Sequence, residues 1–139
     1  MRLLINFFCL SFTFALCAQD QDVGDSRLMK SLYFGGGSYY VDPEQITELY
    51  EFIDSIPNAL NYTVTIHSHT DNIGGVEYND WLSRMRSEMV VRILEQKGYP
   101  RESLEIRDFG MHNPVYDNST WEGKLKNRRV DVIFWPMVL

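Results

Sequence analysis

Arg86 stands where a charge is costly. On a helical wheel of about 100° per residue, Met89 and Ile93 flank Leu82 at about 20° to either side. Val90 falls near 80° on the same wheel, and Arg86 lies near 40°, inside the apolar stripe. Arg84, Glu88 and Arg92 take the polar side. An unpaired buried charge costs several kcal/mol, so this guanidinium requires a fixed anionic partner or a bound anion. Asp71 lies in the loop that feeds the same helix. Spacing alone favours an internal Arg86–Asp71 ion pair, or a long stem that snorkels to water.

A second group with chemical potential is the run His67-Ser68-His69-Thr70-Asp71-Asn72. On a strand, His67 and His69 share a face, as two zinc ligands would. The metallo-hydrolase arrangement needs a further histidine where Asn72 stands, and His112 is the only other one. No metal and no cofactor are therefore assigned, and His69 reads as a structural residue positioning the loop. No serine or cysteine has a base partner in a recognised arrangement, so no catalytic residue is assigned.

These side chains must be carried by a folded core. The chain has 139 residues, 45% of them hydrophobic, with 8 Tyr, 8 Phe and 3 Trp, which argues for one globular domain and against disorder. Residues 1–18 differ from the rest. Arg2 precedes an uncharged apolar run from Leu3 to Leu16, and Ala15 and Ala18 bracket Cys17. This is the layout of a secretory signal peptide, and the run is short of the roughly 18 residues a spanning helix needs. Both cysteines, Cys9 and Cys17, fall inside it, so the mature domain has no disulfide. Cys17 as a lipoprotein cysteine is the alternative, disfavoured by Leu16 before it. Cleavage leaves 12 basic against 19 acidic residues, a net charge of −7. An acidic domain without a basic stripe excludes nucleic acid as a partner.

Residues 19–30 read as a short extension and 31–139 as the domain. Ser31 to Phe34 predicts a strand ending in Gly35-Gly36-Gly37. Asp42-Pro43-Glu44-Gln45 predicts a helix start with a capping box, and Ile46, Leu49, Ile53 and Ile56 share one face. Tyr62 to His67 is β-branched and aromatic, a strand. A second helix is expected from about Asn79 to Lys97, ended by Gly98, with Arg86 near its start. Leu104 to Phe109 is a third strand, Trp121 to Lys126 a short helix, and Arg128 to Trp135 the last strand. Trp121 and Trp135 read as core or loop anchors. The alternation predicts an α+β fold, a sheet with helices packed on it.

His69-Thr70-Asp71, Gly74, Asn79, Leu82-Ser83, Arg86, Val90, Leu94 and Gly98 form an ordered set with Gly110, Asn113-Pro114 and Asn127-Arg128-Arg129-Val130. In order and spacing this set resembles the OmpA-like domain family over Ser31 to Phe134. The resemblance implies a β-α-β-α-β-(α)-β sandwich with a mixed four-stranded sheet and helices on one face. It also implies a non-catalytic domain that binds peptidoglycan in the periplasm of a Gram-negative envelope, with outer-membrane or envelope proteins as further partners. The ligand implied is the free amino-acid end of meso-diaminopimelate in the stem peptide. Asp71 and Arg86 match the family's binding positions, and Asn79, Leu82 and Arg128 line the same site. Arg86 can grip a carboxylate through two parallel hydrogen bonds, Asp71 can accept from the ammonium, and amides at the helix start favour the carboxylate.

The chain departs from the family where Phe-Asp-x-Asp-Ser commonly follows the first strand. It has Phe34-Gly35-Gly36-Gly37-Ser38, so both acidic positions are glycine. A looser loop and weaker binding are the expected consequences. The rival reading is a structural module of the same fold that serves an envelope complex. On that reading, loss of some of Asp71, Asn79, Arg86 and Arg128 is expected, and all four are present. Arg86→Ala is expected to leave the fold intact and abolish binding.

Overall fold

The computed structural model describes residues 28–137. The signal-like segment, both cysteines and most of the extension lie outside the described residues. Four strands and three helices alternate along the chain: β1 Met29–Tyr33, α1 Pro43–Asp54, β2 Tyr62–His69, α2 Val76–Lys97, β3 Leu104–Gly110, α3 Trp121–Asn127 and β4 Arg129–Pro136. In space the strands run β1-β4-β2-β3. β4 is antiparallel to both neighbours, while β2 and β3 are parallel and joined by α2, the long crossover that a parallel pair requires.

The strands alternate as half-buried strands should. Leu32, Val64, Ile66, Val130, Val132 and Phe134 are buried against Leu49 and Ile53 of α1 and Val90, Val91 and Leu94 of α2. Truncating any of these large side chains to alanine costs about 2–5 kcal/mol. On the other face Tyr33, Trp135 and Arg107 are exposed, while Thr65, Arg129 and Asp131 of the central strands are buried.

Three local expectations are corrected. β1 begins at Met29 rather than Ser31, because Met29 and Lys30 pair through the backbone with Ile133 and Val132 of β4, which tolerates the charged side chain of Lys30. Asp42 occupies the N-cap position and Pro43 opens α1, but no side-chain cap bond forms. Gln45 instead spans the open edge of β1: its Oε1 accepts from Tyr33 N–H at 2.7 Å, and its Nε2 donates to the Tyr33 carbonyl at 3.0 Å. An edge strand's unpaired backbone groups compete with the cap for that amide. Finally, α2 begins at Val76, a turn earlier than expected, with Gly75 as its N-cap and Glu77 placed in the first turn, where the helix dipole favours it. Its end is as expected. Gly98 has φ 109°, and Tyr99 N–H closes on the Leu94 carbonyl at 3.0 Å.

Candidate ligand-binding site

Three turns and one helix stripe converge on a pocket of about 160 Å³. The β1–α1 connection supplies Gly36 and Gly37, and the β2–α2 turn supplies Thr70, Asp71, Ile73 and Gly74. One face of α2 adds Tyr78, Asn79, Leu82 and Arg86, and Arg128 enters from the junction of α3 and β4. All five residues singled out in the sequence, Asp71, Asn79, Leu82, Arg86 and Arg128, therefore line one space. A larger hollow of about 520 Å³ lies where α1 and α2 end, but its Asp54 and Lys97 satisfy each other at 2.7 Å.

Arg86 is 1% exposed, and it is not paired with Asp71. Its Nε donates to the Ser38 carbonyl at 2.9 Å, Nη1 to the His69 carbonyl at 3.0 Å and Nη2 to the Gly35 carbonyl at 3.0 Å. Its Cζ lies 5.0 Å from the centre of the Phe34 ring. The guanidinium thus ties the glycine loop and the end of β2 to α2. Three of its five N–H groups are used, and two remain. Because α2 starts at Val76, Arg86 sits about 15 Å along the axis from the first turn, and the amides there do not share its anion. Burial lowers the Arg86 pKa to about 10 against the opposing field of Asp71, so the side chain is charged at neutral pH.

Asp71 belongs to Arg128 instead. Its Oδ2 accepts from Arg128 Nε at 2.6 Å, and its Oδ1 accepts the Ile73 amide at 3.0 Å. Both side chains of this ion pair are 8% exposed. Arg128 is enclosed on two sides. Its Cζ sits 4.9 Å from the centre of the Trp121 ring, and its Nη1 lies 3.4 Å from where a Cβ on Gly36 would stand. Two guanidinium groups against one carboxylate leave the pocket with a net charge of +1.

Asn79 is 1% exposed, with Nδ2 donating to the Ile73 carbonyl at 3.0 Å. Its Oδ1 is buried with no hydrogen-bond partner among the described residues, a state that costs about 1–3 kcal/mol. Leu82, 3% exposed, supplies an apolar wall beside it. The pocket therefore presents surplus positive charge, free guanidinium donors and an unused acceptor within one small volume.

His67 and His69 both pack on Phe109, the former edge-on at 5.4 Å and the latter stacked at 5.0 Å. Burial lowers the His69 pKa to about 4, with Arg129 as the next cause and Asp131 opposing, so the ring is neutral at pH 7. Its contribution to the site is its carbonyl, the acceptor for Arg86. Sequence reasoning missed Tyr78 and Ile73 on the rim, Trp121 over Arg128, and the carbonyls of Gly35, Ser38 and His69. Tyr78 was legible one position before Asn79. A carbonyl acceptor leaves no trace in residue type.

A mixed four-stranded sheet crossed by α2, with a charged pocket at the turn entering that helix, defines an OmpA-like α+β domain. That class comprises peptidoglycan-binding and structural proteins and is not an enzyme family. The chain belongs to the OmpA family, whose pattern matches residues 33–128. It is 43% identical over 70 residues to the outer-membrane lipoprotein YfiB of Pseudomonas aeruginosa, covering 50% of this chain and 42% of that protein. Over 117 residues it is 29% identical to the peptidoglycan-binding protein ArfA of Mycobacterium tuberculosis, covering 84% of this chain and 36% of that protein. It therefore spans less than half the length of either relative. The peptidoglycan-associated lipoprotein of Burkholderia pseudomallei superposes with a TM-score of 0.63 at 28% identity, over 76% of this chain and 89% of that one. Among the described residues, no helix is long and apolar enough to cross a membrane.

Proposed function

We propose that this domain holds peptidoglycan non-covalently by taking the free amino-acid end of meso-diaminopimelate into the Asp71–Arg86–Arg128 pocket. The observation that carries the reading is the pocket's double deficit: a net charge of +1 that calls for an anion, and an unpaired Asn79 Oδ1 that calls for a donor. An α-ammonium carboxylate answers both. The carboxylate takes the two free N–H groups of Arg86 and the field of Arg128. The ammonium donates to Asn79 Oδ1 and faces Asp71. A volume of about 160 Å³ equals roughly five water molecules, room for an amino-acid head and its adjoining methylenes. The names of ArfA and of the Burkholderia lipoprotein support the same ligand class.

The N-terminal apolar segment would deliver the domain to the periplasm, where it ties the envelope to the wall. Attachment through Cys17 is the second arrangement, favoured by the lipoprotein names of two relatives. The test is co-sedimentation with insoluble peptidoglycan, comparing wild type with Asp71→Asn, each checked for folding by circular dichroism. The wild type should pellet, and Asp71→Asn should bind about 10- to 100-fold more weakly, the equivalent of one charge-assisted contact of roughly 1.5–3 kcal/mol. A wild type that stays in the supernatant overturns the reading and leaves an envelope protein as the partner to seek.

A further inference from the structure

The pocket opens beside aromatic side chains that an amino-acid head group does not use. Tyr78 lines the pocket, and its ring centre lies 5.8 Å from that of Trp81, one turn further along α2. Tyr39, from the β1–α1 connection, meets Trp81 edge-on at 6.1 Å. Tyr78, Trp81 and Tyr39 are 44%, 40% and 38% exposed, and Ile73 on the pocket rim is 51% exposed. Three large rings held together at the surface, continuous with the mouth of a polar pocket, are a surface for one kind of flat, amphipathic ligand.

We propose that Tyr39, Tyr78 and Trp81 form a second subsite that receives the pyranose rings of the glycan strand whose stem peptide fills the pocket. The inference rests on the stem-peptide reading of that pocket and extends it to the polymer's backbone. Each ring pairs an apolar face with one polar group, a phenol hydroxyl or an indole N–H. A pyranose offers the complement, C–H groups on its faces and hydroxyls at its edge. Reach agrees. Diaminopimelate is the third residue of the stem, so the lactyl link and two residues separate it from the sugar, about 10 Å when extended. Trp81 lies one ring-to-ring step of 5.8 Å beyond a residue of the pocket wall. A disaccharide does not fit within about 160 Å³ and has to lie outside, across that rim.

Isothermal titration calorimetry with two probes separates the subsite from the pocket. One probe is the stem tripeptide ending in meso-diaminopimelate, and the other is the same tripeptide on its N-acetylglucosamine–N-acetylmuramic acid disaccharide. The wild type should bind the disaccharide form about tenfold more tightly, the upper range for one aromatic contact. Trp81→Ala should lose that gain while keeping the tripeptide affinity, and Trp81→Phe should retain part of it. Equal wild-type affinities for the two probes, or a full gain in Trp81→Ala, overturn the glycan subsite and leave the pocket reading standing. Failure to bind the tripeptide at all overturns both.

Discussion

Replacing Arg86 with alanine removes the donor for three backbone carbonyls at once. Ser38, His69 and Gly35 each lose a hydrogen bond of 2.9–3.0 Å. A buried acceptor left unsatisfied costs about 1–3 kcal/mol; that cost falls on the buried His69 carbonyl, because the exposed Gly35 carbonyl keeps the Ser38 N–H at 3.2 Å and that of Ser38 is within reach of water. Water entering the vacated space recovers part of this. The net expectation is about 1–3 kcal/mol, because the guanidinium takes its own charge with it and leaves only neutral carbonyls behind. For a domain of this size each kcal/mol moves the melting temperature by about 4 °C, so Arg86→Ala should melt about 4–12 °C lower. Thermal unfolding followed by circular dichroism, with urea titration for the free energy, measures it. Arg86→Lys, which keeps a cation but not the planar fork, should fall between the two. An Arg86→Ala protein melting within about 3 °C of wild type would refute the argument, because the carbonyls would then be served without the guanidinium. Arg86 therefore builds the pocket as well as facing it, and Arg86→Ala is expected to fold with lower stability.

Two further outcomes follow from the same geometry. Because the folded-state pKa of His69 is depressed to about 4, the unfolded chain binds its proton first as pH falls. Stability is full above about pH 6.5, where the unfolded histidine is neutral, and declines towards pH 4 by up to about 3 kcal/mol. Urea midpoints across that range should show the decline, and His69→Phe, which keeps the stack on Phe109, should flatten most of it. Gly37 has φ 67°, and a Cβ there would stand 3.0 Å from the Tyr78 hydroxyl. Gly37→Ala should therefore cost about 1–2 kcal/mol by urea unfolding, and an unchanged midpoint would show that the turn adapts.

The elements that declare themselves through side-chain periodicity were legible in the sequence. Leu49 and Ile53 of α1 are buried as the spacing implied, Ile46 is half-buried, Ile56 is buried beyond the helix, which ends at Asp54, and Gly98 ends α2 where its left-handed backbone is needed. The convergence of Asp71, Asn79, Leu82, Arg86 and Arg128 was legible through the resemblance, and the buried position of Arg86 through the helical wheel. The pairing was not. Arg128 is remote from Asp71 in sequence, and nothing in either residue type ranks it above Arg86 as the partner. Gln45 misled for a related reason: a capping box and an edge-strand clamp make the same demand on its amide, and only the sheet order decides between them.

The way Arg86 is held bears on how this loop can change over evolutionary time. Its acceptors are main-chain carbonyls, which every residue type carries, so the guanidinium reads the path of the backbone rather than the identity of the side chains on it. Position 35 has no positive φ, and a Cβ there would meet only Ser38 Cβ at 3.7 Å, an ordinary contact. The side chain at 35 is therefore free to drift, even from acid to glycine, without unseating Arg86. A single-residue insertion or deletion between Phe34 and Tyr39 would carry the carbonyls out of register. Length, together with glycine at the left-handed position 37, is what selection on this loop has to preserve.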